Sequence, residues 1–386
     1  MTSETTSTYL DHNATTPLDP EVREEMTACL GGSPGNASSI HGFGQTARRL
    51  IDQARDRVAA LIGARPEEII FTSGGTEANN LAIMGAMDGG QHQQPHLVTS
   101  AIEHPSVLNP CRHVERLGGS VTFLQVGPEG LVDPLNALAS LREETALVSL
   151  MLANNDVGTV QPVGVLSERT HHQGVPLHTD AVQAIGKLPV DVRRLGVDLL
   201  SFSSHKLHGP QGIGALYVRE GTRMGSIMFG GSQERGLRPG TENIAAIAGF
   251  GKACLLASER LGKDAFRLNT LRTAFETAVL ERVPGVRING LEAPRLPNTS
   301  NLSFEQINGE ALAIHLDLLG LAVSTGAACS TTDQDPSHVL IAMGRTPAQA
   351  RSAIRISFGR ENTRADVYRA AELIAQAVKM MRGGSP

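Results

Sequence analysis

The sequence predicts an α/β protein: a mostly parallel sheet of seven strands with helices on both faces, followed by a smaller α+β domain. Three observations predict it. Short apolar runs alternate with amphipathic helical stretches from about residue 48 to residue 218, and strand then helix, repeated, builds a parallel sheet covered on both sides. A Gly-rich break, GGSQERGLRPGTEN (230–243), is followed by a longer amphipathic stretch from Ile244 through Val283. Beyond that, roughly over 262–386, the alternation changes, with no internal repeat.

The strands are taken in order. EEIIFT (67–72), HLVTSA (96–101), SVTFLQV (120–126) and ALVSLMLAN (146–154) are rich in Val, Ile, Leu and Phe. VPLHTDA (175–181), VDLLSFSS (197–204) and GALYV (214–218) complete the seven. ARRLIDQARDRVAALIG and TEANNLAIMGAM lie among them as amphipathic helices. In the last third NTSNLSF, LAVSTGA and AIRISFG are expected strands. Sites in such sheets sit in the loops at the carboxyl ends of strands.

Composition narrows the function. The chain has 386 residues, 40% hydrophobic and 19% charged, ordinary for a globular protein. With 34 basic against 39 acidic residues the net charge is −5, which argues against a surface built to neutralise nucleic-acid phosphates. Aromatic residues make up 3%, with no Trp, leaving little for base stacking. Arg48, Arg49, Arg55 and Arg57 are expected on the solvated face of a helix. No stretch approaches a membrane span, the N-terminus is polar without a secretory signal, and Cys29, Cys111, Cys254 and Cys329 are far apart. A cytoplasmic chain with reduced thiols is expected.

FTSGGTEANNLAI ends a strand at Thr72, turns through Ser73-Gly74-Gly75 and opens a helix near Thr76. Free backbone N–H groups and a hydroxyl at a helix N-terminus suit a phosphate, although Ser73 or Thr76 as a simple N-cap reads equally well. Asp180 closes one strand and Lys206 follows the next. A buried carboxylate and a lysine at one sheet edge suit pyridoxal 5'-phosphate: the amine forms the Schiff base, and the carboxylate keeps the pyridine nitrogen protonated. Ser203 and His205 would add phosphate donors beside Thr76. Either of Asp180 and Lys206 alone reads as a helix cap or a surface lysine, and the three segments together carry the argument. The His205/His208 pair lacks carboxylate or cysteine support for a metal. His104 follows another strand, where it can stack on a ring and carry protons or merely cap a helix. Asn155 follows a fourth strand, and the planar fork of Arg355 suits a substrate carboxylate.

Taken together, LDHNATTPLDP, GNASSIHGFGQTAR, FTSGGTEANNLAI, SAIEHPSVL, NNDVGTVQP, HTDAVQAIGKLPVD, SFSSHKLHGPQGIGALYV, ERGLRPGTEN and STGAACS resemble the cysteine desulfurases. More closely, they resemble the NifS/IscS-type branch of the class V aminotransferase-like, fold-type I pyridoxal-phosphate enzymes, from Leu10 to about Asn362. The resemblance implies Lys206 as the Schiff-base lysine, Asp180 as the ring-nitrogen partner, Gln183 on the ring hydroxyl oxygen and His104 as the ring-stacking acid/base. It implies Gly75, Thr76, Ser203, Ser204 and His205 around the phosphate, with Thr241 reaching it across a homodimer interface. Asn155 and Arg355 are implied near the cofactor and the substrate carboxylate, and Cys329 as the catalytic cysteine. The implied division is a large domain over 16–261 and a small domain of 1–15 with 262–386, carrying the cysteine loop.

The implied reaction is specific. L-cysteine displaces Lys206, the freed amine removes the Cα proton, and the carbanion spreads into the ring. The Cys329 thiolate then attacks the substrate sulfur, leaving L-alanine and a Cys329 persulfide. Cys29, Cys111 and Cys254 lie in helical patterns and are expected to pack. The polar STTDQD after Cys329 resembles the branch whose cysteine rides a longer mobile loop, expected to rest away from the cofactor. The chain stops at Pro386, without the longer tail that relatives use to dock on the general iron–sulfur scaffold. The sulfur acceptor is thus left open among iron–sulfur cluster assembly, tRNA thiolation and DNA phosphorothioation. A selenocysteine lyase or an aminotransferase of the same fold is the alternative enzyme, and a sulfur carrier the non-enzymatic one.

Overall fold

A computed structural model describes residues 7–32, 35–89, 94–325 and 335–383. Its strands, in chain order, are β1 Thr8–Tyr9, β2 Ile69–Thr72, β3 His96–Ser100, β4 Ser120–Leu124, β5 Thr145–Ser149 and β6 Leu177–Asp180. They continue with β7 Leu199–Ser203, β8 Gly214–Val218, β9 Val286–Asn289, β10 Thr299–Phe304, β11 Leu321–Ala322 and β12 Ala353–Ser357.

Neighbouring residues of the central strands point into different cores. Ile69 and Phe71 enter one and Ile70 the other; Val98, Val148, Leu200 and Phe202 join the first, and Leu97, Leu147 and Leu199 the second. This is the period of two of a pleated strand, and apolar residues at both phases require cover on both faces. The helix Gly42–Leu61 covers the first face with Ala47, Ile51, Ala54 and Val58, spaced to form one stripe. Helices Gly75–Asp88 and Pro105–Arg116 cover the second. The sheet order is β2-β8-β7-β6-β5-β3-β4, and β8 is the strand that runs against its neighbours.

Six of the seven expected strands sit within their runs, two or three residues shorter at most, and GALYV matches in full. ALVSLMLAN departs from this, because its ladder to β3 ends at Ser149, while Leu150 and Leu152 still donate to the carbonyls of His178 and Asp180 in β6. There the amide of Met151 donates to the carboxyl of Glu103 at 2.9 Å, so the chain leaves β3 and turns toward the sheet edge. The described part of LAVSTGA, 321–325, contains β11, which pairs with the N-terminal β1, while Ser324 bridges Arg355 of β12.

A single helix, Ile244–Arg282, joins two regions. Its first half sends Ile247, Phe250 and Cys254 into the first core, while Leu271, Phe275 and Val279 enter a separate core. That separate core lies under β12-β10-β9 and the helix Arg364–Met381. The N-terminal segment is stitched to both regions. Leu10 donates to Ala322 and accepts from Ser357, whereas Thr16 and Asp19 donate to the carbonyls of His205 and His208.

Phe250 is fully buried, with ring centroids 6.3 Å from Phe71 and 5.4 Å from Phe202. Phe250→Ala is expected to lower the unfolding free energy by about 3–5 kcal/mol, measured by denaturant titration.

Candidate active site

Four parallel strands, β3, β5, β6 and β7, end at one edge of the sheet, and the residues that follow them meet there. A cavity of about 230 Å³ is lined by Gly75, Thr76, His104, Asn155, Asp180, Gln183, Ser203, His205 and Lys206. These are the expected residues from five segments far apart in the chain.

One wall is the first turn of the helix Gly75–Asp88. Its N-cap, Gly74, offers no side chain to the first-turn N–H groups, which leaves them for an anion. A Cβ on Gly75 would lie 2.7 Å from Val182 Cγ2, so only glycine lets this turn approach the β6 exit. Thr76 and Ser203 present hydroxyls beside it. His205 also faces the cavity; burial, then the nearby Lys206, pushes its imidazole down to about 4, so it is neutral near pH 7.

The carboxylate lies beside the same helix. Asp180 Oδ2 accepts from Asn79 Nδ2 at 2.7 Å, and Oδ1 accepts from the amide of Val182 at 2.9 Å. Asn79 also donates to Ser106 Oγ at 2.8 Å, which ties this wall to the helix headed by His104. His104 is the N-cap of that helix: its Nδ1 accepts from the amide of Ser106 at 3.1 Å. Burial lowers His104 below its ordinary 6.5, and an accepting Nδ1 places the proton of the neutral ring on Nε2.

Lys206 closes the floor. Its Nζ donates to the carbonyls of Asn13 at 2.5 Å and Ala14 at 2.6 Å. Gln183 Nε2 donates to the same Asn13 carbonyl at 3.0 Å. The donor set fits pyridoxal 5'-phosphate: hydroxyls and a helix N-terminus for a phosphate, a buried carboxylate for a ring nitrogen, and an amine for an aldehyde carbon.

Three expected residues lie elsewhere. Ser204 is fully buried with its hydroxyl turned toward Gly209, whose Cβ would sit 2.0 Å from it. Thr241 is exposed and outside the cavity lining. Arg355 lies behind the Asn155 loop, donating to the Asn155 carbonyl at 3.1 Å and to the Asp11 carboxylate at 2.6 Å. Cys329 and its loop fall outside the described residues. Burial pushes the thiols of Cys111, to about 12, and of Cys254 and Cys29 upward, so none of these three is suited to form a thiolate.

Sequence reasoning singled out neither Asn79 and Ser106, which hold Asp180 and His104, nor Asn13, Glu103 and Lys187. Each lies inside a quoted motif. Asn79 falls one helical turn after Thr76, so helical spacing from a named residue was the available signal there.

The profile of the family described as "Aminotransferase class-V" matches residues 8–369. A cysteine desulfurase IscS from Dictyoglomus turgidum is 46% identical over 98% of this chain and 96% of its own length. A solved NifS-like protein superposes with a TM-score of 0.90 at 37% identity, covering 97% of this chain and 100% of that one. The solved structure of SspA in complex with cysteine gives a TM-score of 0.82 at 37% identity, covering 91% and 98%.

Glu103, fully buried beside His104, accepts from Ser100 Oγ at 2.6 Å and from the Met151 amide through Oε1, while Oε2 has no partner among the described residues. Burial, aided by the charge of Asp180, pushes its carboxyl up to about 8. An unfolded carboxyl ionises near ~4.3, so the native state retains a proton that the unfolded state sheds. The group's contribution is greatest below that value and is lost as pH rises through about 8. Glu103→Gln is therefore expected to melt progressively higher relative to wild type as thermal scans move from pH 5 to pH 8.

Proposed function

Since the chain belongs to the class V aminotransferases and, within them, to the cysteine desulfurases, we propose that this cavity removes the sulfur of L-cysteine to leave L-alanine, with Lys206, His104 and Cys329 acting on the substrate. Members of the family work with pyridoxal 5'-phosphate. The observation that carries the reading is the placement of Asp180 at the end of β6 and Lys206 just beyond the adjacent β7, on one cavity with an N-terminal helix turn.

Gly75, Thr76, Ser203 and His205 would hold the phosphate of the cofactor, joined by Thr241 of a second copy, and Ser204 would support that turn from behind. Asp180 would hold the ring nitrogen, Gln183 the ring hydroxyl oxygen, Lys206 the aldehyde carbon, and His104 would stack on the ring. Bound there, the cofactor supplies an electron sink for a carbanion at the substrate's Cα.

Each of this chain's residues then has a definite task. Lys206 takes the Cα proton on Nζ once the substrate amine has displaced it, and the Asn13 and Ala14 carbonyls are acceptors for the ammonium so formed. Neutral His104 presents Nε2–H toward the reacting atoms, its ring held by Ser106. Asn155 and Arg355 receive the substrate carboxylate, which replaces Asp11 on the guanidinium. The thiolate of Cys329 attacks the substrate sulfur: the S–S bond forms as the Cβ–S bond breaks, the electron pair stays with the carbon frame, and a proton delivered to Cβ, with the one returned to Cα, completes alanine. A thiol suits this step because the thiolate is a soft nucleophile accessible near neutral pH.

The persulfide passes to an acceptor protein, in iron–sulfur cluster assembly, tRNA thiolation or DNA phosphorothioation. A homodimer is supported by the exposed Ile227, Met228 and Phe229, which precede Thr241 in the chain, with Phe229 91% exposed. The division into 16–261 and 1–15 with 262–386 is supported by the two cores along the helix Ile244–Arg282. A cytoplasmic location suits the free thiols of Cys29, Cys111 and Cys254.

Purified protein is expected to absorb in the visible through its lysine-bound cofactor and to convert L-cysteine to alanine and sulfide in the presence of a thiol reductant. Lys206→Ala loses both. Cys329→Ala keeps the absorbance and loses sulfide release by roughly 10³-fold or more. Full cysteine turnover by Cys329→Ala would remove that residue from the mechanism, and keto-acid formation without sulfide would make the chain an aminotransferase.

A further inference from the structure

Behind the floor of the cavity lies a lysine that the mechanism does not use. Lys187 is only 6% exposed, and its Nζ donates to Gln183 Oε1 at 2.8 Å and to Asn13 Oδ1 at 3.0 Å. Both acceptors are uncharged amide oxygens. Two N–H bonds and two acceptors match an amine without its third proton.

These contacts determine which way the Gln183 amide faces. The Asn13 carbonyl can only accept, so the group 3.0 Å from it must be Nε2. Oε1 is then the atom that meets Lys187. One N–H of Nε2 is committed to Asn13, and the second remains on a side chain that lines the cavity. Asn13 is fixed in the same way. Its Oδ1 takes N–H groups from Lys187 and Asn298, and its Nδ2 donates to Thr299 and to the Asn155 carbonyl. Its own carbonyl is the one that accepts from Lys206.

We propose that Lys187 is a positioning residue: by donating to Gln183 Oε1 and Asn13 Oδ1 it holds one Gln183 N–H toward the cavity and the Asn13 carbonyl on Lys206. Resting on the cofactor assignment above, this makes Lys187 the residue that aims a donor at the ring hydroxyl oxygen. The donor stabilises that oxygen as an anion and thereby sets the pH at which the lysine-bound cofactor titrates.

The surroundings agree. Burial, then the positive charges of Lys206 and Arg355, hold Lys187 well below the ordinary lysine range. His12, His205 and His208 also face it, and burial pushes them down to about 3, 4 and 4, so near pH 7 they add no charge. Asp264 lines the same small cavity as Lys187, but its carboxylate is paired with Arg360 at 2.7 Å.

The test is a double-mutant cycle read by the visible absorbance of the lysine-bound cofactor against pH, with thermal melts as a check on folding. Gln183→Leu removes the donor and is expected to raise the titration midpoint by about one unit. Lys187→Met keeps the length, loses both hydrogen bonds, and is expected to raise it by a similar amount. The double variant is expected to move no further than either single one, because one residue acts through the other. A Lys187→Met midpoint equal to wild type, alongside a shifted Gln183→Leu, overturns the proposal; so does full additivity. Should Lys187→Met fail to fold, Lys187→Gln, which keeps an N–H donor, is expected to stay within half of the Gln183→Leu shift, and a full shift overturns the proposal. A wild-type protein that shows no visible absorbance after incubation with pyridoxal 5'-phosphate overturns the cofactor reading beneath it.

Discussion

Asn13 is the constraint on which the rest of the site depends. It is 1% exposed and lies where the two cores meet, so all of its hydrogen-bonding groups must find protein partners. Its amide meets Lys187, Asn298, Thr299 and the Asn155 loop, and its carbonyl meets Lys206 and Gln183. Leaving any one of these groups unpaired would cost about 1–3 kcal/mol. The network therefore orders as a unit, binding the N-terminal segment, the β6 and β7 exits and β10 around the lysine.

Around that hub, the sheet does the sorting. Parallel strands all end at one edge, so the residues that follow β3, β5, β6 and β7 converge without any needing to be close in sequence. The groups so gathered are polar, yet most are buried. The imidazoles of His104 and His205 are held neutral by burial, as is the carboxyl of Glu103 at low and neutral pH. Asp180 accepts from a side-chain amide and a backbone amide. The site thus concentrates its charge on the Asp180 and Lys206 pair that flanks the cavity, with Arg355 and Asp11 paired behind the Asn155 loop.

Much of this was legible beforehand. The Val, Ile and Leu runs announced a sheet buried on both faces, because apolar residues at both phases of a strand leave no face for water. The boundary at Ile244 and the length of the following helix were also readable, from one sustained amphipathic pattern. What failed locally failed for tertiary reasons. ALVSLMLAN has strand composition to its end, but the Glu103 carboxyl captures the Met151 amide and the ladder to β3 ends at Ser149. Leu321 and Ala322 of LAVSTGA pair with the short N-terminal β1, and Ser324 turns instead to Arg355 of β12.

The sequence by itself determined the chemistry at hand: a lysine, a carboxylate, a histidine and a glycine turn, each placed after a strand and each of a type that pyridoxal-phosphate catalysis requires. Residue identity and strand phase are local properties, and a linear reading carries them. Only the tertiary structure decided what supports those groups. It turned Ser204 away from the cavity, set Arg355 against Asp11, and brought Asn13 and Lys187, 174 positions apart, into hydrogen-bond contact. Such partnerships depend on which buried polar atoms end up adjacent, and that is settled by the packing of two cores against each other.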